Sequence, residues 1–557
     1  MIRRWVSVFD WVPRYRRADF PADLVAGLTG AAVIVPQSMA YAQLARVPPV
    51  VGLYASVVPL LVYAVLGRVG QLGMGPLATI SVLSAAGVAK LAPEGTAEFV
   101  ALSATIAVLV GVFHLVIGLG RLGFLVRFLS EPVMSGFLSG AGVVIIATQL
   151  GPISGIGVEA NSTSVLDIVR AWVASLDETS VVTLLVGGVT LAVLIAARRW
   201  PRIPSQLVAV VVASMVVAVS ALEEHGLAVV GTVPSGLALP EVPEWSLHDV
   251  RVLAPTALAI TLISILESLS LAREFAEEHK YEIDANQEIA AVGASNVAAG
   301  VFQGIVVTGA ISRSSILNQT GARTQLTGVI CALIVAPLVM FASGAFQDIP
   351  IAVLSAIVIS AVLSFIKVGE ARRLWRVQRS DFWVMAIAFV GTMVFGLEVG
   401  VLLAVALSIG LIVYRVARPH LPELGRLEGS DAFVEVDGRH EGAATFPGTI
   451  VLRVETALYF TNAQVLANRL RELEGERPDL ETIVLDASGV NFLDATADHA
   501  LRKLATRYRE RGIRLLLVNV EDRVRAVMDA SGFTELVGEG AFFASDAAAL
   551  AHLRSGT

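Results

Sequence analysis

The sequence predicts an α-helical polytopic membrane protein of about 14 spans, arranged as two inverted sets of seven, followed by a C-terminal α/β domain. Three observations predict it. Apolar residues recur in blocks long enough to cross a hydrocarbon core, which takes about 20 residues per helix. Lys and Arg divide unevenly between alternate loops. After Arg418-Pro419 the pattern changes to short apolar strands alternating with amphipathic helices.

Composition sets the class. Of 557 residues, 55% are hydrophobic and 16% charged, and the mean hydropathy is +0.72. Such a chain is too apolar for a soluble protein and too long for one domain. A net charge of −7 is small for this length and speaks against a nucleic-acid partner. The single cysteine, Cys331, lies in an apolar block, can form no intrachain disulfide and is expected to pack. Residues 1–21 form a basic, aromatic arm (Trp5, Phe9, Trp11, Arg14, Arg16, Arg17) where a secretory signal would carry an apolar stretch. The arm reads as an interfacial segment on the cytoplasmic face.

The transmembrane domain is placed at 22–418, with span centres near Ile34, Pro59, Ser81, Val108, Val143, Gly187, Val211, Ile260, Val292, Ser315, Ile334, Ile357, Phe389 and Ala406. The third, ninth and tenth are weak in hydropathy. With the N-terminus inside, 21 Lys and Arg up to residue 418 fall on the inner side, Arg127 and Arg202 among them. Only Arg46, Lys90, Arg170 and Arg251 fall outside, and Arg313 lies in a span. A wrong span count would scramble this asymmetry, so both termini are expected in the cytoplasm. The excess of arginine over lysine hints at a GC-rich bacterial genome, and the expected location is a bacterial inner membrane.

Seven is odd, so repeats over about 22–222 and 250–418 would be inverted relative to each other. Matching oddities support this. The third span opens on Gly73-Met74-Gly75-Pro76 and carries Thr79, Ser81 and Ser84. The tenth follows Gly300, Gly304 and Gly309 and runs from Ile311-Ser312-Arg313 to Gln319. Neither segment can face lipid, because its polar groups would go unsatisfied. Short, glycine-interrupted segments at corresponding positions point to a midplane site built from half-helix N-termini.

Helix N-termini offer partial positive charge and free N–H groups, which suit an anion. Arg313 adds a full charge, unless it serves only to pair with Glu267. Glu267, mid-span in the eighth segment, must protonate, bind a cation or pair with a base. It is therefore the candidate ion-coupling residue, with a proton or sodium as the coupling ion and no other cofactor required. Gln37, mid-span in the first segment, is a candidate for the substrate site, with Tyr41 one turn on. His114 reads as a packing histidine and Glu277–Lys280 as a solvated loop.

With these residues in place, the chain resembles the sulfate permease family of anion transporters. The likeness rests on Pro36-Gln37-Ser38-Met39-Ala40-Tyr41-Ala42, Pro48-Pro49-Val50-Val51-Gly52-Leu53-Tyr54, Gly75-Pro76, and Ser312-Arg313-Ser314 with Gly321-Ala322-Arg323-Thr324. The resemblance implies a core and a gate domain, an elevator-like movement of the anion, a homodimer, and substrate contacts at Gln37, Tyr41, Leu77, Ile311, Ser312 and Arg313. Some relatives carry an aromatic residue at the Leu77 position.

A linker over 419–430 and a soluble domain over 431–557 complete the chain. Asp486-Ala487-Ser488-Gly489-Val490 and Phe492-Leu493-Asp494-Ala495-Thr496 resemble the STAS domain (sulfate transporter and anti-sigma-factor antagonist). In soluble relatives a hydroxyl at the Thr496 position is phosphorylated, so Thr496 is a candidate regulatory site, with a helix cap as the plainer role. Metal clusters, nucleotide-binding glycine loops and nucleophile–base pairs are absent from the sequence pattern, so neither an enzyme nor ATP-driven transport is expected. The leading expectation is a secondary transporter of sulfate, with bicarbonate or a dicarboxylate such as fumarate or succinate behind it. A nucleobase permease and an anion-responsive sensor without transport are the competing readings.

Overall fold

A computed structural model describes residues 5–124, 130–157, 164–200, 204–220, 226–427, 432–436 and 443–555. Arg3, Arg4, Arg127 and Arg202, used in the charge count, lie outside the described residues. The chain divides into two compact units, Met1–Ser408 and Ile409–Thr557.

Each of the fourteen expected centres falls in a helix. We label these α1 (Phe20–Leu44), α2 (Val58–Leu66, preceded by the short helix Pro49–Tyr54), α3 (Ala78–Val88), α4 (Ala97–Leu119), α5 (Glu131–Thr148), α6 (Val181–Ala197), α7 (Ser205–Ser220), α8 (Leu247–His279), α9 (Ala285–Val301), α10 (Ile311–Gln319), α11 (Leu326–Phe341) and α12 (Ile351–Val362). The stretch Arg379–Ala417 is broken at Gly396, where φ is 81° and ψ 177°, and its two parts are α13 and α14. Seven helices among the described residues are long and apolar enough to cross a membrane unaided; α3, α6, α7 and α11 are apolar but shorter. Glu277 to His279 form the end of α8, and Lys280 is its left-handed cap, so that stretch is not a loop.

Local chemistry explains most helix starts. Pro21, Pro49, Pro59 and Pro132 stand in first turns, where a missing N–H costs nothing. Ser246 and Asp249 form a capping box that starts α8. Thr96 caps α4, Ser180 caps α6 and Asp284 caps α9. The helices α3 and α10 have no side-chain cap.

Two bundles result. One packs α1–α4 with α8–α11; the other packs α5–α7 with α12 and α13. Small residues bring the helices of the first bundle together. A Cβ on Gly111 of α4 would stand 2.6 Å from Val297 N and 2.7 Å from Gly293 O of α9. The bundles join where α1 meets α7 and α12, and where α3 meets α5.

Inside the first bundle the chain leaves helical form twice. β1 (Met74–Gly75) precedes α3 and β2 (Thr308–Gly309) precedes α10, and the two pair antiparallel, Met74 opposite Gly309 and Gly75 opposite Thr308. Irregular backbone at this depth is tolerable only when buried in protein, and both strands are buried.

The second unit holds an antiparallel sheet of β3 (Leu424–Leu427), β4 (Phe433–Glu435) and β5 (Ala443–Ala444), in the order β4-β3-β5. Beside it, β6 (Thr449–Arg453), β7 (Thr482–Asp486), β8 (Arg514–Val518) and β9 (Phe542–Phe543) form a parallel sheet in sequence order. The five-residue strands β6, β7 and β8, with near-continuous Ile, Val and Leu, are what a doubly covered parallel sheet requires. Its helices include α15 (Ala463–Gly475) and α16 (Ala495–Glu510). The stretch read as a linker, 419–430, contains β3. The cap of α16 is Asp494, which accepts from Ala497 N at 2.7 Å. Thr496 is therefore not the cap, and it is exposed in the first turn.

Candidate functional site

The pairing of β1 with β2 sets two uncapped helix N-termini beside each other. The first amides of a helix have no intrahelical partner. In α3 and α10 no side chain takes them up, which leaves them for a ligand. Leu77, with φ −136° and ψ 143°, is the residue from which α3 starts; Ala310 is its counterpart before α10.

Arg313 sits in the first turn of α10 and is buried. Its Nη2 donates to Pro76 O at 2.8 Å, while Nε and Nη1 have no protein partner. The guanidinium lies against Gly75, whose φ of 154° and missing side chain make room for it. Gly73 N donates to Ser314 Oγ at 2.9 Å, and Ala310 N donates to Gly73 O at 3.2 Å. Together these bonds tie the start of α10 to the strand before α3. The ion pair between Arg313 and Glu267 that the sequence allowed is not formed.

Glu267 is buried on α8, with Oε1 unpartnered. Gln37 is fully buried on α1, and both of its amide atoms are unpartnered. Buried polar atoms rarely go unpaired, which makes each of these a candidate to face a ligand. Thr79, Ser81 and Ser84 of α3 add three more such hydroxyls. Tyr41 is buried and within electrostatic range of both Arg313 and Glu267. Ile311 is 44% exposed, whereas Arg313 two residues on is 3% exposed, so the mouth of α10 opens while its arginine stays inside.

Sequence reasoning missed the brace behind this site. His114 Nε2 lies 3.0 Å from Ser264 Oγ, and its Nδ1 lies 2.8 Å from Val110 O. Ser264 and Ser268, one turn apart on α8, both reach Thr308 Oγ1, at 2.9 and 2.8 Å. Ser268 Oγ also accepts from Gly309 N at 3.3 Å. From the other side Asn296 holds Val307 through both main-chain groups, at 2.8 and 2.9 Å. His114 is thus part of a polar network that fixes β2 and not merely packing. The four-residue spacing of Ser264 and Ser268 was the available signal.

Residues 20–388 match the model of the sulfate permease family, and residues 443–549 match that of the STAS domain. The chain is 37% identical over 541 residues to a probable sulfate transporter of Mycobacterium tuberculosis, with 96% of each chain covered. It is 34% identical over 555 residues to the chloroplastic sulfate transporter 4.1 of Arabidopsis thaliana, covering 96% of this chain and 80% of that one. Among solved structures, the murine anion transporter solute carrier 26 family member A9 in its inward-facing state superposes at a TM-score of 0.91 with 27% identity. That alignment covers 99% of this chain and 94% of the murine one.

Proposed function

This chain belongs to the sulfate permease family, and from that premise we propose that it is a secondary active transporter of sulfate. Anion transport itself follows from the family; an enzyme it is not. The single observation that carries the substrate site is the pair of uncapped N-termini, α3 and α10, joined by β1 and β2 with Arg313 between them. That arrangement supplies orphan N–H donors and one fixed cation, which is what a tetrahedral oxyanion needs.

The movement we propose is an elevator, with α1–α4 and α8–α11 as the core that carries the anion past the other bundle as a gate. The supporting observation is that β1, β2, α3, α10 and Arg313 all belong to one bundle and are tied by the β1–β2 pairing and by side-chain hydrogen bonds to the main chain. Glu267 on α8 rides in the same bundle and is the proposed coupling group, for H+ or Na+. A homodimer in a bacterial inner membrane with both termini cytoplasmic, and a regulatory STAS domain with Thr496 as a phosphorylation site, complete the proposal.

Dipoles plus one arginine also suit bicarbonate and dicarboxylates, so the test must separate them. Purified protein in liposomes is given labelled sulfate, bicarbonate and fumarate under imposed pH or sodium gradients. Uphill accumulation of sulfate under one gradient supports the proposal. Uptake of another anion to the exclusion of sulfate overturns the substrate, and binding without uptake makes the protein a sensor.

A further inference from the structure

The sequence pattern shows no metal cluster, but the fold assembles three ligand-type side chains from distant positions. His420 follows the last span, Glu435 ends β4, and Glu455 lies just past β6. One ligand atom from each lies within 4.8 Å of the other two. His420 Nε2 is 3.3 Å from Glu435 Oε1.

The main chain that carries them is held in place. His420 stands between Pro419 and Pro422 in a stretch pinned to β6 by Arg453 N donating to Pro422 O at 3.0 Å. Val436 N donates to Glu423 O at 3.0 Å, which fixes the end of β4 against the same stretch. Val454 N donates to Asp486 O at 2.9 Å, which extends the β6–β7 pairing to the residue before Glu455. The frame is therefore built before any ligand arrives.

Charge is the second observation. Among the described residues Glu455 makes no hydrogen bond or ion pair, and Glu435 has His420 alone. His420 and Glu435 line a cleft of about 730 Å³ whose arginines are committed elsewhere. Arg477 pairs with Glu423 at 2.5 Å and Arg469 with Glu472 at 2.8 Å. Among the described residues, two carboxylates thus converge on one imidazole with no lysine or arginine paired to either.

We propose that His420, Glu435 and Glu455 form a binding site for a divalent transition-metal cation, zinc by preference. An imidazole nitrogen with two carboxylates is a three-ligand set that zinc accepts, leaving one position for water. Calcium and magnesium ask for six or more oxygens, which this site does not offer. Ligand atoms about 2.0–2.2 Å from zinc stand closer together than 4.8 Å, so the three side chains draw inward on binding. His420 and Glu455 are exposed, so the ion has a path in. Once bound, it clips the segment after the last span to the end of β6.

The test uses the full-length chain, purified through a tag without histidines and stripped with EDTA. Zinc is titrated by calorimetry and cobalt by visible absorption. One zinc per chain and tetrahedral cobalt bands are expected, and His420→Ala should weaken zinc by about tenfold or more. Glu435→Gln with Glu455→Gln should do the same, and it guards against a His420 variant that merely loosens the linker. Monodisperse elution shows that each variant is folded. Absence of zinc binding, zinc affinity unchanged in both variants, or calcium binding as tight as zinc would overturn the site.

Discussion

The guanidinium of Arg313 lies against the main chain of Gly75, its Cζ 3.1 Å from where a Cβ on residue 75 would stand. Nη1 and Nη2 would each be 3.2 Å from that atom, on a residue whose φ of 154° already disfavours a side chain. Gly75→Ala should therefore push the guanidinium off Pro76 O without removing its charge. We expect sulfate binding to weaken by about tenfold, from the loss of a charged hydrogen bond's geometry. Calorimetry on the folded variant checks this, and wild-type affinity would separate Gly75 from the site.

Arg313→Ala removes the charge itself. A hydrogen bond to a charged group is worth about 1.5–3 kcal/mol, so anion affinity should fall by about tenfold to a hundredfold. Ser312→Ala should cost less, because a neutral hydroxyl contributes about 0.5–1.5 kcal/mol. Binding measured on monodisperse protein tests both, and wild-type affinity in Arg313→Ala would take the arginine out of the site.

Glu267→Gln fixes the side chain in a neutral form. If a proton is the coupling ion, sulfate exchange should survive and accumulation against a gradient should vanish. If sodium is the coupling ion, sodium dependence should vanish instead. Proteoliposome flux with the two gradients applied separately distinguishes these outcomes. Full gradient-driven accumulation in the variant would make Glu267 structural.

Glu398, at the start of α14 just past the break at Gly396, ties that helix to the first bundle. Lys90 Nζ reaches it at 2.6 Å and Thr256 Oγ1 at 3.0 Å. An elevator must break this tie in every cycle. Pairs this exposed are worth about 0.2–1 kcal/mol, so Glu398→Gln should change the sulfate exchange rate by at most about fivefold. Lys90→Glu combined with Glu398→Lys should return it toward the wild-type rate. An unchanged rate in Glu398→Gln would show that the pair does not gate movement.

In the tail, Asp486 and Asp546 are shifted in opposite directions. Burial alone would raise Asp486, but the hydrogen bonds from Arg453 at 2.6 Å, Asn519 at 3.1 Å and Ser488 N at 3.0 Å hold it below the ordinary carboxylate range. Its contribution is present above the unfolded carboxylate pKa and is lost as pH falls through the lowered one. Asp546 is pushed up to about 6, chiefly by burial and next by Asp486. Its ionised form costs stability above that pH, a cost relieved as pH falls through 6 toward the unfolded value. Asp486→Asn should therefore destabilise the tail by about 1–3 kcal/mol at pH 7, and Asp546→Asn should stabilise it. Amide exchange of β6 and β7 in the full chain reads both, and equal protection in all three proteins would contradict the assignment.

The spans were legible because lipid demands a long apolar block, and even the break at Gly396 left two hydropathy centres, Phe389 and Ala406. The half-helices α3 and α10 were legible through glycine and hydroxyl content. The brace through His114, Ser264, Thr308 and Ser268 was not, because its members lie on α4, α8 and β2 and only the fold sets them side by side. The end of α8 was mistaken for a loop because its charges resemble solvated turn residues; Lys280 in the left-handed conformation marks the true stop. Thr496 was favoured as a cap because hydroxyls commonly fill that role, but Asp494 two residues earlier fills it.

The pairing of Met74 with Gly309 and Gly75 with Thr308 runs through main-chain atoms, which are the same whatever side chains stand beside them. With the anion site as proposed, placement and selectivity are thereby separated. Exchanging Leu77 or Ile311, proposed here as anion contacts, for a larger or more polar residue changes a side chain and leaves the main-chain ladder intact. Gly75 has no such latitude, since any side chain there meets the arginine. On that proposed site, the chain's choice of anion can be rewritten at the rim without re-engineering the machine beneath.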